Sequence, residues 1–113
     1  MARFYPNLAK LDTPLIASIY GESIEEFRTL ARELSALPKI SALEVNLYIS
    51  WRHYRELGAG GYRDWAGSVV AAVREEAAVP VWVKLSPDAG DPAEIARTVE
   101  AEGAAALTVS NSY

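Results

Sequence analysis

An α/β fold built on a parallel sheet is what this sequence predicts, on three observations. Four short apolar runs alternate with stretches of helical character, in the order β-α-β-α-β-α-β. Each unit takes about 30 residues, the length of a βαβ crossover. The links are short and carry glycine, proline and capping residues, so right-handed crossovers between parallel strands are expected. The 113 residues are read as a single α/β domain, 1–113. Two architectures stay open: half of a TIM-type barrel, whose full circuit takes roughly 250 residues, or a small open sheet of the flavodoxin-like kind.

The elements follow in order. Thr13 to Ile19 is the first apolar run, with Pro14 tolerable only at a strand start, and Gly21 breaks it. Ser23-Ile24-Glu25-Glu26 is a capping box: the Ser23 hydroxyl can accept the Glu26 N–H while the Glu26 carboxylate reaches back. Beyond it Ile24, Phe27, Leu30, Ala31, Leu34 and Leu37 form one helical stripe that Pro38 ends. Ala42 to Leu47 is the second strand. Tyr48 to Arg63 is rich in aromatics and arginine, contains Gly58, Gly60 and Gly61, and reads as a long loop. Asp64 then caps a second helix to about Ala77, with Trp65, Val69, Val70 and Val73 inward.

Val79 to Leu85 is a third strand, nearly continuous in apolar residues as in strands covered on both faces. Ser86 to Gly90 turns the chain, and Asp91-Pro92-Ala93-Glu94 starts a helix with aspartate at the cap and proline at the first position. Gly103 stands where a left-handed helix end belongs. Ala105 to Ser110 is the fourth strand.

Composition bounds the function. Half of the residues are hydrophobic and 23% charged, which suits a packed core. A net charge of −4 argues against a nucleic-acid or anionic-membrane partner. Cysteine is absent and histidine occurs once, so thiolate chemistry and multi-histidine metal sites are excluded. Neither a signal-peptide core nor an apolar run of roughly 18 residues is present, and a cytoplasmic location is expected.

Parallel α/β sheets bind ligands at the carboxyl ends of their strands. Those ends carry Ser18, Asn46, Lys84 and the cluster Ser110-Asn111-Ser112. Singly, each has an ordinary explanation: a lysine ending a strand is solvated, and an asparagine such as Asn46 satisfies a backbone turn. Together they offer donors and one fixed cation to a planar, electron-accepting ring or a phosphate.

The stretch Val81-Trp82-Val83-Lys84-Leu85-Ser86-Pro87-Asp88, with the capped helix from Asp91 to Ala96, resembles the flavin-lysine region of the dihydroorotate dehydrogenase family. Pro14 to Ile19, Gly21, Glu25 to Phe27 and Leu30 to Glu33 are similar to the preceding strand and helix. Leu43-Glu44-Val45-Asn46-Leu47 and Leu107-Thr108-Val109-Ser110-Asn111-Ser112 resemble two further strands. The matches run in order from about Asp12 to Ser112, nearly the whole chain but under half of the family's barrel.

The resemblance implies FMN as cofactor and oxidation of dihydroorotate to orotate in pyrimidine synthesis. It implies that Lys84 lies beside the flavin ring and offsets the charge of its reduced form. It also implies that Asn46 bonds substrate or flavin, that Ser110 lies against the flavin, and that Asn111 and Ser112 hold the pyrimidine. Ser18 stands where the family often has a flavin-contacting asparagine.

One stretch departs from the pattern. After Asn-Leu the family continues Ser-Cys-Pro-Asn or Ser-Ser-Pro-Asn, whose second residue is the base that removes the substrate proton. Here the chain reads Tyr48-Ile49-Ser50-Trp51, with Ile49 at the base position and Trp51 at the asparagine. An aliphatic side chain cannot accept a proton. Ser50 comes one residue late, and His53 is the remaining candidate base. The expectation is a chain that by itself does not catalyse the family reaction. The alternative is a truncated or engineered half-barrel module that self-associates through its sheet edges or inner face. In that reading Tyr48, Trp51, Tyr54, Leu57 and Tyr62 cover the inner face.

Overall fold

A computed structural model describes residues 5–8, 10–86 and 88–109. The elements are α1 (Tyr5–Leu8), β1 (Leu15–Ile19), α2 (Ile24–Ser35), β2 (Ile40–Asn46), α3 (Trp51–Glu76), β3 (Val81–Lys84), α4 (Pro92–Ala101) and β4 (Ala106–Thr108). The four strands form one sheet in the order β1-β2-β3-β4, all parallel. Each strand therefore pairs with its neighbour in sequence, which is the winding of a barrel arc. The reversal of direction that defines a doubly wound, flavodoxin-like sheet is missing from the described strands.

Successive crossovers that never reverse direction along the sheet, right-handed by the general rule for parallel strands, put α2, α3 and α4 on the same face, where they share one core. Strand alternation sends Ala17, Ile19, Leu43, Val45, Leu47, Val81 and Val83 into that layer, where all are buried. Phe27, Ala31 and Leu34 of α2, Val69, Val70 and Val73 of α3, and Ile95 and Val99 of α4 close on them. The opposite face carries Ile16, Ser18, Ala42, Glu44, Asn46, Trp82, Lys84 and Thr108, of which the small Ala42 alone is buried. This corrects the reading of Val79–Leu85 as a strand covered on both faces. Among the described elements only one face is covered, and Trp82 and Lys84 are half-buried on the other.

Capping fixes where the helices begin. The Ser23 Oγ accepts the Glu26 N–H at 3.2 Å, and the Glu26 carboxylate accepts the Glu22 N–H at 2.6 Å. The reach-back thus lands one residue before the cap. At α4 the Asp91 carboxylate accepts the Ala93 N–H at 3.0 Å, with Pro92 at the first helical position. Gly103 ends that segment with φ +105°, the left-handed conformation expected of it.

The largest correction concerns 48–63. It is not a long loop, because α3 begins at Trp51, and Asp64 is an exposed residue inside that helix. Ser50 is the cap, its Oγ accepting the His53 N–H at 3.2 Å. Gly58, at φ 74° and ψ 172°, interrupts the helix and divides it into 51–57 and 59–76. Aromatic packing outweighs the poor helix propensity of the glycines: Tyr62 is fully buried, and Tyr54, Leu57 and Trp65 pack against the core.

Ion pairs lace the outer layer. Arg28 meets Glu75 at 2.7 Å and Arg32 meets Glu76 at 3.1 Å between α2 and α3, and Arg63 meets Glu94 at 2.6 Å between α3 and α4. No helix among the described residues is long and apolar enough to cross a membrane.

Candidate functional site

Asn46 and Lys84 are direct register partners, the last residues of β2 and β3, and both lie on the uncovered face. Lys84 in turn pairs with Thr108 of β4. Two polar groups of the sequence-based set are thus brought side by side at the carboxyl end of the sheet. Glu44 lies one pleat deeper on that face, and its carboxylate accepts the Thr108 hydroxyl at 3.0 Å. No carboxylate among the described residues comes within 4.0 Å of the Lys84 ammonium, which is therefore a half-buried cation without an ion pair there. Ser18 is exposed and pairs in register with Glu44, one step behind the strand tips. Ser110, Asn111 and Ser112 lie outside the described residues.

The Asn46 side chain has a local role. Its Oδ1 accepts the Tyr48 N–H at 3.0 Å, closing a turn as the chain leaves β2. That bond fixes the amide and leaves its NH₂ group as the part able to donate to a ligand.

The segment after β2 is clamped from the helical side. Leu47 donates its N–H to the Lys84 carbonyl at 3.2 Å, and its own carbonyl accepts the Tyr62 hydroxyl at 2.6 Å. Burial pushes the Tyr62 phenol well above its ordinary range, so it keeps its donated proton further into the alkaline range than an exposed tyrosine does. Tyr54 accepts the Gly90 N–H at 3.1 Å, tying the start of α3 to the turn before α4. The sequence reading missed both contacts. Their signal is the three- and four-residue spacing of Tyr54 and Leu57 and then of Tyr62, Trp65, Val69 and Val73, two stretches joined by a five-residue step across Gly58.

Ile49 is 8% exposed and belongs to the core cluster. Ser50 is committed to capping α3. The His53 ring stands edge-on to Trp65 with centroids 6.3 Å apart. The stretch that departs from the family pattern therefore presents an aliphatic side chain, a cap and a ring packed on tryptophan. Beside Ile49, a cleft of about 220 Å³ opens between the start of α3 and the turn after β3, lined by Tyr48, Trp51, Tyr54, Ser86 and Asp88.

Residues 1–113 match the family model described as dihydroorotate dehydrogenase. The catalytic subunit of dihydroorotate dehydrogenase B (NAD(+)) from a Geobacillus species is 36% identical over 107 residues, covering 95% of this chain and 34% of that protein. Dihydroorotate dehydrogenase A (fumarate) from Lacticaseibacillus paracasei is 36% identical over 113 residues, covering all of this chain and 37% of that protein. The Desulforamulus reducens catalytic subunit of dihydroorotate dehydrogenase B (NAD(+)) is 39% identical over 112 residues, 99% of this chain and 37% of that one. The chain spans about a third of the length of these curated relatives. With the family model matched from end to end, and with four parallel strands wound in barrel order, the chain belongs to the dihydroorotate dehydrogenase family.

Proposed function

We propose that this chain is a flavin-facing arc of a dihydroorotate dehydrogenase-type barrel, with Asn46 and Lys84 directed at FMN and no proton-abstracting group of its own. The observation that carries the reading is the adjacent pair on the uncovered face, one amide and one cation without an ion pair among the described residues. Such a pair suits a planar ring that gains negative charge, because a fixed ammonium in a partly desolvated place stabilises charge that develops beside it. FMN bound there would supply the hydride acceptor. Lys84 would offset the charge gained on reduction, and the Asn46 NH₂ would donate to the ring or to a pyrimidine. Ser110, Asn111 and Ser112 complete the set by family resemblance. Proton removal from dihydroorotate is not assigned to this chain, since Ile49 holds the family's base position and an alkyl group accepts no proton. A cytoplasmic location goes with this reading.

A second reading, a folding module without activity, is favoured by the burial of Ile49 and by the outer edges of β1 and β4, which pair with no other strand among the described residues. On that reading Ile16, 48% exposed, and the half-buried Trp82 mark a face for self-association. Titration of the purified chain with FMN, read by flavin fluorescence quenching, separates the two. Quenching at low micromolar concentration that is lost in Lys84→Ala supports the flavin site, and no quenching at tens of micromolar refutes it. Bleaching of bound FMN on addition of dihydroorotate would refute the missing base. A monomer in sedimentation would remove the self-association reading.

A further inference from the structure

We infer that the cleft between the start of α3 and the turn after β3 is a binding site for a planar aromatic cation, separate from the Asn46–Lys84 pair. Neither Asn46 nor Lys84 lines it. Its floor is Ile49, buried in the core, and its walls are the rings of Tyr48, Trp51 and Tyr54. Trp51 stacks on Tyr54 with centroids 5.7 Å apart and planes at 22°. Trp51 is nevertheless 66% exposed, so Tyr54 covers part of the indole and the rest stays open to solvent. A large aromatic surface held in place but uncovered is a stacking platform, and an offset ring is the ligand shape it prefers.

Charge selects within that shape. Among the described residues that line the cleft Asp88 alone is charged, and it is exposed. The remaining polar lining is hydroxyl: the buried Ser86, and the phenols of Tyr48 and Tyr54. The electron-rich faces of Trp51 and the tyrosines attract a cation, and the Asp88 carboxylate attracts it from the side. A flat anion meets the opposite field. Tyr54 is also held in place, because its hydroxyl accepts the Gly90 N–H and its ring packs edge-on to Tyr62 at 5.6 Å. The Tyr54 wall, on which Trp51 stacks, is therefore set before a ligand arrives.

The test uses three probes of one shape and different charge: N-methylquinolinium, quinoline at mildly alkaline pH, and 2-naphthoate. Each is titrated calorimetrically into the whole chain. Saturable binding of the cation is expected, with the anion at least tenfold weaker and quinoline between them. Trp51→Ala should weaken the cation about tenfold, the order expected for loss of one stacking and cation–π platform. Asp88→Asn should weaken the cation severalfold and leave quinoline unchanged. Both side chains are exposed, and circular dichroism checks that the variants fold. Lys84→Ala should leave all three probes unaffected, which separates this site from the flavin reading. No saturable binding of the cation, equal binding of cation and anion, or full binding by Trp51→Ala would each overturn the proposal.

Discussion

Replacing Tyr62 by phenylalanine removes one oxygen from the most buried polar contact near the strand ends. The ring and its packing on Tyr54 and Trp65 stay in place, while the 2.6 Å bond to the Leu47 carbonyl disappears. Leu47 is fully buried, so its carbonyl loses a partner in a place where water does not easily replace it. Leaving a buried acceptor unpaired costs about 1–3 kcal/mol, and a loss of about 2 kcal/mol is expected at neutral pH. That is roughly a thirtyfold change in the folding equilibrium. Urea denaturation followed by tryptophan fluorescence reads it directly.

The same variant carries a pH signature. Burial raises the Tyr62 phenol above its ordinary value near 10, so the folded state holds this proton more tightly than the unfolded chain does. The contribution of Tyr62 is therefore fully present below about pH 10 and is lost as the pH climbs towards the raised value. Lysines and other tyrosines titrate there too, so the quantity to follow is the stability difference between wild type and variant. It should be constant from neutral pH to about pH 9 and shrink above pH 10. A difference under about 0.5 kcal/mol at neutral pH would refute the assigned hydrogen bond, and one that stays constant through the alkaline range would refute the raised titration of the buried phenol.

Two further outcomes follow from particular positions. Gly58→Ala should destabilise the chain by about 1–3 kcal/mol in thermal or urea melts, because φ 74° with ψ 172° belongs to a region nearly reserved for glycine. The added Cβ meets no atom within 4 Å, so the whole effect is conformational, and a neutral Gly58→Ala would mean the helix straightens without cost. Hydrogen bonding to Arg32, aided by the charges of Arg32 and Arg28, holds the Glu76 carboxyl below the ordinary carboxylate range. Its contribution is present at neutral pH and is lost as the pH falls through the acid range, so Glu76→Gln should flatten the acid limb of stability against pH, and high salt should have the same effect.

The sequence made the sheet legible because its strands are short apolar runs bounded by strong signals: Pro14 at a start, Gly21 at a stop, and Asp91-Pro92 at a helix entrance. Winding order was not legible, since β-α-β spacing is shared by barrel arcs and open sheets and the choice lies in tertiary pairing. The segment from Trp51 to Arg63 was misread because local propensity and tertiary packing disagree there. Gly58, Gly60 and Gly61 weaken a helix, and the burial of Tyr62 together with the hydrogen bonds of Tyr54 and Ser50 restores it. At the site, the polarity of the strand tips was visible in Asn46 and Lys84, but their adjacency required the register between β2 and β3. The turn-closing bond of Asn46 was one of the two readings the residue type allowed, and it uses only Oδ1, leaving the amide NH₂ without a hydrogen-bond acceptor among the described residues.

The sequential strand order also bears on how the chain assembles. Paired residues are separated by 25 positions between Leu15 and Ile40, 38 between Leu43 and Val81, and 24 between Trp82 and Ala106. The entropy of closing a loop grows only with the logarithm of its length, so the longest of these closures costs less than about 0.5 kcal/mol more than the others. Chain connectivity thus gives no crossover a decisive head start. The unit that forms first is then the one whose side chains pack best while its neighbours are still unformed; if the clamp on Leu47 selects the β2–α3–β3 unit, Tyr62→Phe is expected to slow folding, and a variant that only speeds unfolding would place the nucleus elsewhere.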